Sequence, residues 1–406
     1  MTSQNNSKWV WIIAGGILQI PMIKAAKERG YKVMVTDRDL LAPGCQIVDK
    51  ALGVDTYDIR GHIVLAKNLP FKPAAVLTVG ADVGPTVSAV AEVFSLPAEK
   101  SIIAKRVRNK ATMRDLVNQA HPVYLEIDYD HVTPNSNWKA RCKSAGVDPY
   151  PCVLKPIEAS GSKGITLIET PWQWTNAMLK ARQFTGNGNR SLIVEERLIG
   201  KEYALDFFVY NKRVYFANAA ERIFRTRGKK IGIEAGHINP WTPPDEVILL
   251  AARAVKKLGV TFGPFKIDFI NDIRYGWCVM ECATRLSGGF DHMLTSPLAT
   301  GKDITGFMLD MALGLHLDSE KLKATKNSFV CAIAPLDLLP GEVESWNLPK
   351  NMPGQEDIIV LAKDKILPLE NNTMRPVFAF ANGKTRLSAI KNAFRLAKEI
   401  KPEYKK

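Results

Sequence analysis

Two apolar runs, residues 262–270 and 277–283, are joined by the short polar segment Asn271–Gly276. This pattern predicts a β-hairpin whose loop is longer than two residues. Because side chains alternate between the two faces of a strand, Asp268 and Glu281 are able to lie on one face of neighbouring strands. Like charges side by side in a half-buried sheet repel each other unless a cation lies between them. The hairpin therefore indicates either a site for a hard cation such as Mg²⁺ or a pair of solvated carboxylates.

The residues that follow the hairpin favour the cation site. Arg285 comes directly after it and adds a fixed positive charge, and Ser287-Gly288-Gly289 adds a flexible turn. A hard cation, an arginine and a flexible backbone together are typical of a phosphate-binding site.

A second candidate for phosphate binding lies at residues 151–165, where a predicted strand carries Lys155 into a loop of small residues. The small-residue loop comprises Ser160, Gly161, Ser162, Lys163 and Gly164. Small residues allow backbone N–H groups to approach phosphates closely. A Walker A loop would open a helix, whereas the pattern here predicts a strand at 165–168, so a P-loop NTPase is disfavoured. The alternative is a glycine hairpin without a ligand.

The N-terminal residues predict a βαβ unit, with strands at Val10–Ala14 and Lys32–Thr36 and a helix at Ile20–Arg29. The turn between the first strand and the helix reads Gly-Gly-x-x-Gln and lacks the G-x-G-x-x-G spacing of dinucleotide-binding proteins. NAD binding is therefore disfavoured, and the first ~100 residues are predicted to form an open α/β domain with parallel strands.

Composition limits the class of protein. A chain of 406 residues is long for a single core, so two or three domains are expected. A formal net charge of +14 suits a polyanionic ligand such as a nucleotide, but also RNA or an anionic surface. The six cysteines contain no Cys-x-x-Cys pair, which predicts buried thiols rather than disulfides or a zinc site. No apolar stretch reaches membrane length and no signal peptide is evident, so a cytoplasmic protein without membrane contact is expected.

Taken together in this order, these stretches resemble the ATP-grasp superfamily of carboxylate–amine (or carboxylate–thiol) ligases, over roughly residues 9–400. The resemblance implies an α/β and α+β architecture, the ATP-grasp fold. It implies a Rossmann-like pre-ATP-grasp domain at 1–104 and an ATP-grasp domain at 105–325 with a small lobe at about 150–205. A small C-terminal α+β domain is implied at 326–406.

The resemblance also implies roles for individual residues. The nucleotide contacts would come from Lys110, Lys155, Ser160, Gly161, Ser162, Gly164, Glu195, Glu196, Leu198 and Glu202. The magnesium acids would be Asp268 and Glu281, and Arg285 would steady the transferred phosphate. His237 or Glu234, in a predicted loop, would accept the proton of the amine. A further basic loop is predicted at Arg222–Lys230.

One position departs from the family's pattern. The usual motif is Glu-x-Asn, in which the Asn completes the metal shell, and this chain has Glu281-Cys282-Ala283. An alanine side chain has no atom that ligates a metal. The expectation is that one ion binds with ATP and that a second ion is held weakly.

The implied function is an ATP-dependent ligase that activates a carboxylate as an acyl phosphate and joins it to an amine. The implied cofactors are ATP and Mg²⁺, or Mn²⁺ in its place, and the partners are small molecules, with a homodimer allowed and no nucleic acid. Three alternatives stay open: a bicarbonate-using carboxylase or carbamoyl-phosphate-type enzyme, a non-catalytic ATP-binding scaffold, and an RNA-binding protein suggested by the charge alone.

Overall fold

A computed structural model describes residues 8–117, 119–128, 137–185, 191–211, 213–224 and 232–405. The N-terminal part contains a parallel four-stranded sheet in the order β3-β2-β1-β4. The parallel strands confirm the βαβ pattern, since each apolar run is buried as a strand. The strands are β1 (Trp9–Ile13), β2 (Lys32–Asp37), β3 (Lys50–Gly53) and β4 (Ala75–Leu77), and the helices are α1 (Ile20–Glu28), α2 (Ile59–Asn68) and α3 (Gly84–Phe94).

Two short helices connect this sheet to the rest of the chain: α4 (Ser101–Arg108) and α5 (Lys110–Val117). Asn109 separates them with an extended ψ of 112°, so α4 and α5 do not form one continuous helix. The Asn109 side chain accepts a hydrogen bond of 2.9 Å from the backbone N–H of Thr112. Such a cap satisfies a free donor at the start of α5. It also places Lys110 in the first turn, where its side chain is buried.

A small antiparallel sheet in the order β5-β8-β6-β7 forms the second layer of strands. Its elements are β5 (Tyr124–Asp128), α6 (Trp138–Ser144), β6 (Cys152–Pro156), β7 (Thr166–Ile168), α7 (Trp174–Arg182) and β8 (Ser191–Glu196). Trp138 and Trp174, one from each helix, stack at 4.6 Å in the core beneath it. Its edge strand β5 comes from a segment that precedes residue 150, so the small lobe takes in more of the chain than 150–205.

A sheet of eight strands spans the middle of the molecule in the order β13-β12-β9-β10-β11-β14-β18-β16. Its strands are β9 (Gly200–Tyr210), β10 (Arg213–Phe224), β11 (Glu234–Asn239), β12 (Phe262–Asp272), β13 (Gly276–Ala283), β14 (Phe329–Ile333), β16 (Gln355–Val360) and β18 (Val377–Gly383). The last three strands extend this sheet, so the C-terminal segment is hydrogen-bonded to the centre of the molecule. Two segments predicted as loops contain strand residues instead. Glu234 and His237 lie on β11, and Arg222 lies on β10. Residues 225–230 of the predicted basic loop fall outside the described residues.

The remaining elements cover this sheet or form a small edge sheet in the order β17-β15-β19. They are α8 (Asp245–Leu258), α9 (Ser296–Thr300), α10 (Ile304–Ala312), α11 (Arg386–Glu399), β15 (Gly341–Asn347), β17 (Lys365–Ile366) and β19 (Lys401–Tyr404). All six cysteines are free and buried, which confirms the prediction of unpaired thiols. In the described part of the chain, the helices are all too short or too polar to cross a membrane.

Candidate active site

The two predicted acids are direct neighbours across the β12–β13 hairpin. Asp268 pairs with Glu281 in the register, and a β-bulge follows directly after this pair. A bulge adds a residue to one strand and re-aims the side chains beside it. Asp268 is 6% exposed, and both carboxylates line the same cavities. The pattern of apolar and acidic residues therefore predicted this pair correctly.

Each of these carboxylates meets a cation of the protein. Lys266 Nζ lies 2.5 Å from Asp268 Oδ2, and Arg222 Nη2 lies 2.7 Å from Asp268 Oδ1. Lys110 Nζ lies 3.0 Å from Glu281 Oε1 and donates to the backbone carbonyl of Ala159 at 2.6 Å. Burial alone would raise the pKa of Glu281, but the charges of Lys110 and Lys266 outweigh it and lower that pKa to about 2. The repulsion expected between the two acids is thus offset by lysine and arginine.

Two hard carboxylate ligands on adjacent strands fit one Mg²⁺ ion, because Mg²⁺ takes the rest of its octahedron from phosphate oxygens and water. Within the described ranges, the structure brings together no group of three or more His, Cys, Asp or Glu side chains suited to a metal. Ala283 supplies no ligand on the strand that carries Glu281. The donor set therefore fits a site that the substrate completes.

A buried ion triad joins the helix α5 to both sheets. Glu195 on β8 accepts from Arg114 Nε at 2.8 Å and from Lys155 Nζ at 2.5 Å. Arg114 also donates to the backbone carbonyls of Val279 at 2.8 Å and Met280 at 2.7 Å on β13. Burial alone would raise the pKa of Glu195, but Arg114 and then Lys155 outweigh it and lower the pKa to about 2. No motif in the sequence marks Arg114, although its spacing of four residues from Lys110 places it on the same helix face.

The segment of small residues that follows β6, residues 160–164, is here called the glycine loop. Gly161, Ser162 and Gly164 have φ values of 67°, 61° and 72°, a left-handed region that strains residues other than glycine. Asn372, from the C-terminal segment, donates its backbone N–H to Gly161 O at 3.0 Å and its side-chain amide to Ser162 Oγ at 3.1 Å. Asn372 Oδ1 accepts from Glu234 N at 2.9 Å. A turn more than 200 residues away in sequence therefore holds the glycine loop and β11 together.

A cavity of about 140 Å³ lies between the small sheet and the eight-stranded sheet. Glu195, Glu196 and Leu198 line it, together with Lys155 and Glu202. The Glu196 carboxylate accepts hydrogen bonds from His121 Nδ1 at 2.5 Å and from Val123 N at 2.9 Å, so this carboxylate already has partners within the protein. Burial raises the pKa of Glu202 to about 7.

A larger cavity of about 320 Å³ adjoins the first, and the two share Asp268 and Glu281. Arg285 lies on its wall, 8% exposed, with its Nε 3.5 Å from Asp82 Oδ1 of the N-terminal domain. The lining also includes the apolar residues Ile17, Leu18, Leu361, Phe290 and Phe378. The larger cavity therefore offers both charged and apolar side chains.

Arg375 also lines the larger cavity, and no motif in the sequence marks it. Its guanidinium lies 4.6 Å from the ring centroid of Phe378, and it donates to Glu234 O at 3.1 Å and to Asn372 O at 2.8 Å. Burial lowers its pKa, although the charge of Glu234 opposes this effect. Burial would likewise raise the pKa of the Glu234 carboxyl, but Arg222 and His237 outweigh it and lower the pKa to about 2.

The hydrogen bonds around His237 fix its tautomer. Asn239 Nδ2 donates to Ala219 O at 3.1 Å, so its Oδ1 is the acceptor for Thr295 Oγ1 at 2.7 Å. Because the Thr295 hydroxyl donates its only proton to Asn239 Oδ1, His237 Nε2 must donate to Thr295 Oγ1, at 2.9 Å. His237 Nδ1 is left as an acceptor, 3.6 Å from Glu234 Oε1. Nδ1 is therefore the ring nitrogen at which His237 could accept a proton.

The comparisons with known proteins agree with this geometry. Residues 148–290 match the model of the ATP-grasp domain. In structure, the chain is similar to L-amino acid ligase from Bacillus licheniformis, with a TM-score of 0.76, 17% identity, and coverage of 99% of this chain and 100% of that one. It is also similar to phosphoribosylglycinamide synthetase from Anaerococcus prevotii, with a TM-score of 0.71, 18% identity, and coverage of 98% and 100%.

In sequence, the chain is 24% identical over 200 residues to formate-dependent phosphoribosylglycinamide formyltransferase from Methanocella arvoryzae. That match covers 47% of this chain and 43% of the relative, so the chain spans less than half the length of this curated relative. The chain has the ATP-grasp fold, with an ATP-grasp domain at residues 148–290. The resemblance predicted from the order of the motifs is thereby confirmed.

Proposed function

We propose that this protein is an ATP-dependent ligase that activates a substrate carboxylate as an acyl phosphate and joins it to an amine, with release of ADP and phosphate. The observation that carries the proposal is the position of Asp268 and Glu281, at the point where two cavities meet. A nucleotide in the smaller cavity would bring its phosphates to these acids, and an acceptor in the larger cavity would meet them from the other side. The names of the similar proteins, two of them ligases or synthetases, agree with this chemistry.

The nucleotide contacts follow from which groups keep a donor or an acceptor for a ligand. Lys155, Lys110 and the backbone N–H groups of the glycine loop would bind phosphates, and Glu202 would accept the ribose hydroxyls. Glu195 is 3% exposed and fully engaged by Arg114 and Lys155, so its role is to position Lys155.

The side chain of Glu196 is likewise bound within the protein. Adenine would therefore meet the backbone of residues 196–198, with Leu198 packed against the ring.

The first chemical step is an in-line attack by a carboxylate oxygen of the substrate on the γ-phosphorus of ATP, which forms the acyl phosphate and releases ADP. Asp268 and Glu281 would hold Mg²⁺, or Mn²⁺, which when bound offsets the negative charge of the phosphates. Arg285 and Lys110 would stabilise charge on the transferred phosphoryl oxygens. The protein supplies no nucleophile in this scheme; it positions the two reactants and excludes water.

In the second step the amine attacks the acyl carbon and phosphate leaves. His237 Nδ1 is proposed to take the proton of the amine, because its hydrogen bonds leave this nitrogen as an acceptor. Glu234 is a poor base, since its pKa is about 2, where Arg222 and His237 outweigh the effect of burial. Its carboxylate would instead stabilise the imidazolium from 3.6 Å.

The test is ADP release from Mg·ATP, screened over amino acids and other small carboxylates, with hydroxylamine added to trap the acyl phosphate as a hydroxamate. We expect carboxylate-dependent ADP release and hydroxamate formation, both lost in Asp268→Asn. Lys201→Met serves as the matched control, because Lys201 is an exposed lysine of the neighbouring strand β9. ADP release that depends on bicarbonate alone would contradict the proposal in favour of a carboxylase. Tight ATP binding without ADP release under any condition would contradict it in favour of a scaffold.

A further inference from the structure

Lys266 lies directly opposite Ala283 in the β12–β13 register. It also shares a strand face with Asp268, two residues further along. The Lys266 side chain is 6% exposed, and it lines the larger cavity together with Asp268, Glu281 and Arg285. Lys266 therefore places a buried amino group beside residue 283, where this chain lacks a metal-ligating side chain.

Neutralisation of Asp268 does not account for this lysine. Arg222 already contributes an ion pair of 2.7 Å to Asp268 Oδ1, and Lys266 contacts the other oxygen, Oδ2, at 2.5 Å. An ammonium group has three N–H donors. Among the hydrogen bonds of the described residues, Lys266 Nζ makes one, to Asp268. Lys266 lines a cavity whose wall also holds Arg222 and Arg285, which is a setting for a strongly anionic ligand.

A second divalent ion in this corner would meet an unfavourable field. It would lack the neutral oxygen that an Asn at residue 283 would provide, and it would lie close to the charges of Lys266 and Arg222. Opposite charges attract and like charges repel most strongly where water is excluded. Lys266, in contrast, is held in this corner by its ion pair with Asp268 and needs no ligand at residue 283.

We propose that Lys266 takes the place of a second divalent cation, so that the site binds one metal ion with its nucleotide and Lys266 supplies the remaining positive charge to the phosphates. This inference rests on the proposed function, because it requires a nucleoside triphosphate in the smaller cavity. It goes beyond the expectation that a second ion is held weakly: one metal ion suffices, and no second ion is needed.

The test counts metal ions directly. Mn²⁺ replaces Mg²⁺, a non-hydrolysable ATP analogue replaces ATP, and the bound Mn²⁺ per chain is measured by electron paramagnetic resonance. We expect one Mn²⁺ per chain in the wild type and in Ala283→Asn, because Lys266 remains in both. The double variant Lys266→Met/Ala283→Asn is expected to bind two, since the ammonium group is replaced by a metal ligand.

Affinity for the ATP analogue at equimolar Mn²⁺ gives a second readout. We expect Lys266→Met to weaken it at least tenfold, Lys266→Arg to keep it within about threefold, and the exposed control Lys201→Met to leave it unchanged. Two Mn²⁺ ions in the wild type, with the nucleotide bound, would overturn the inference and leave the proposed function intact. Failure of the wild type to bind the nucleotide would overturn both.

Discussion

Arg114 is the residue whose loss should cost the most stability in the site region. It is 5% exposed, and its guanidinium joins three elements: α5 itself, Glu195 on β8, and two carbonyls of β13. We consider Arg114→Met, which keeps much of the side-chain length and removes the charge and the donors. Glu195 then keeps only Lys155 as a partner, and Met280 O loses its donor.

The magnitude follows from two considerations. Removal of one partner from a buried ion pair costs about 3–5 kcal/mol, because the remaining charge stays buried without compensation. The pKa of Glu195, about 2 against its ordinary value of 4.5, corresponds at about 1.36 kcal/mol per pKa unit to roughly 3 kcal/mol of folding stability. Burial alone would raise this pKa, and Arg114 is the larger of the two contributions that lower it. We therefore expect the variant to lose 3–5 kcal/mol at pH 7.

The pH dependence provides a second check. A carboxylate whose pKa is lowered by folding contributes stability that is present above pH 4.5 and is lost as the pH falls towards 2. The wild type should lose this contribution over that range, and Arg114→Met should lose less of it, because its Glu195 is less strongly stabilised as an anion. The difference in stability between the two proteins should therefore shrink as the pH is lowered from 7 to 3.

The assay is urea unfolding followed by circular dichroism at several pH values, with Lys105→Met as the control for an exposed cation on the preceding helix α4. We expect the control to lie within about 0.5 kcal/mol of the wild type. A variant within 1 kcal/mol of the wild type at pH 7, or a difference that does not change with pH, would refute the reasoning about the triad.

Three further predictions concern ligand binding. Lys155→Ala should weaken ATP binding at least tenfold in titration calorimetry, because the phosphates lose a buried cation; an unchanged dissociation constant would remove Lys155 from the phosphate site. Asn372 makes two hydrogen bonds to the glycine loop, and Asn372→Ala removes the one from its side chain. Amide hydrogen exchange in the loop should therefore increase in this variant, and bound ATP should restore protection. Equal exchange in the variant and the wild type would mean that other contacts hold the loop. Burial raises the pKa of Glu202 to about 7, so this carboxyl becomes ionised, and able to accept the ribose hydroxyls, between pH 6 and pH 8. The affinity for ATP should therefore rise over this range, and Glu202→Gln should abolish the rise. A rise that persists in the variant would assign the titration to another group.

The sequence by itself determined the local architecture around the site. Alternation of apolar and polar residues predicted the hairpin and allowed Asp268 and Glu281 to share one face of it, because the side-chain period of a strand is fixed at two residues. The run of small residues after Lys155 predicted the glycine loop. The order of these weak patterns indicated the ATP-grasp fold, which the comparisons confirmed. Each of these patterns lies in residues that are close together in sequence, so the sequence alone is enough to predict the local structure.

Only the tertiary structure decided which charges meet. Arg114 reaches the site from α5, and Arg222 reaches it from β10. Asn372 and Arg375 reach it from the turn that precedes β18. No periodicity in the sequence encodes these separations. We also propose a different role for Glu195, as the anchor of Lys155 rather than a nucleotide contact, because its two oxygens are paired with Arg114 and Lys155. An ionisable residue shows its type in the sequence, whereas its partner, its burial and hence its pKa depend on elements that come together only when the chain folds. The same holds for Lys266 and Ala283, whose opposition across the hairpin depends on a register set by the bulge after Asp268.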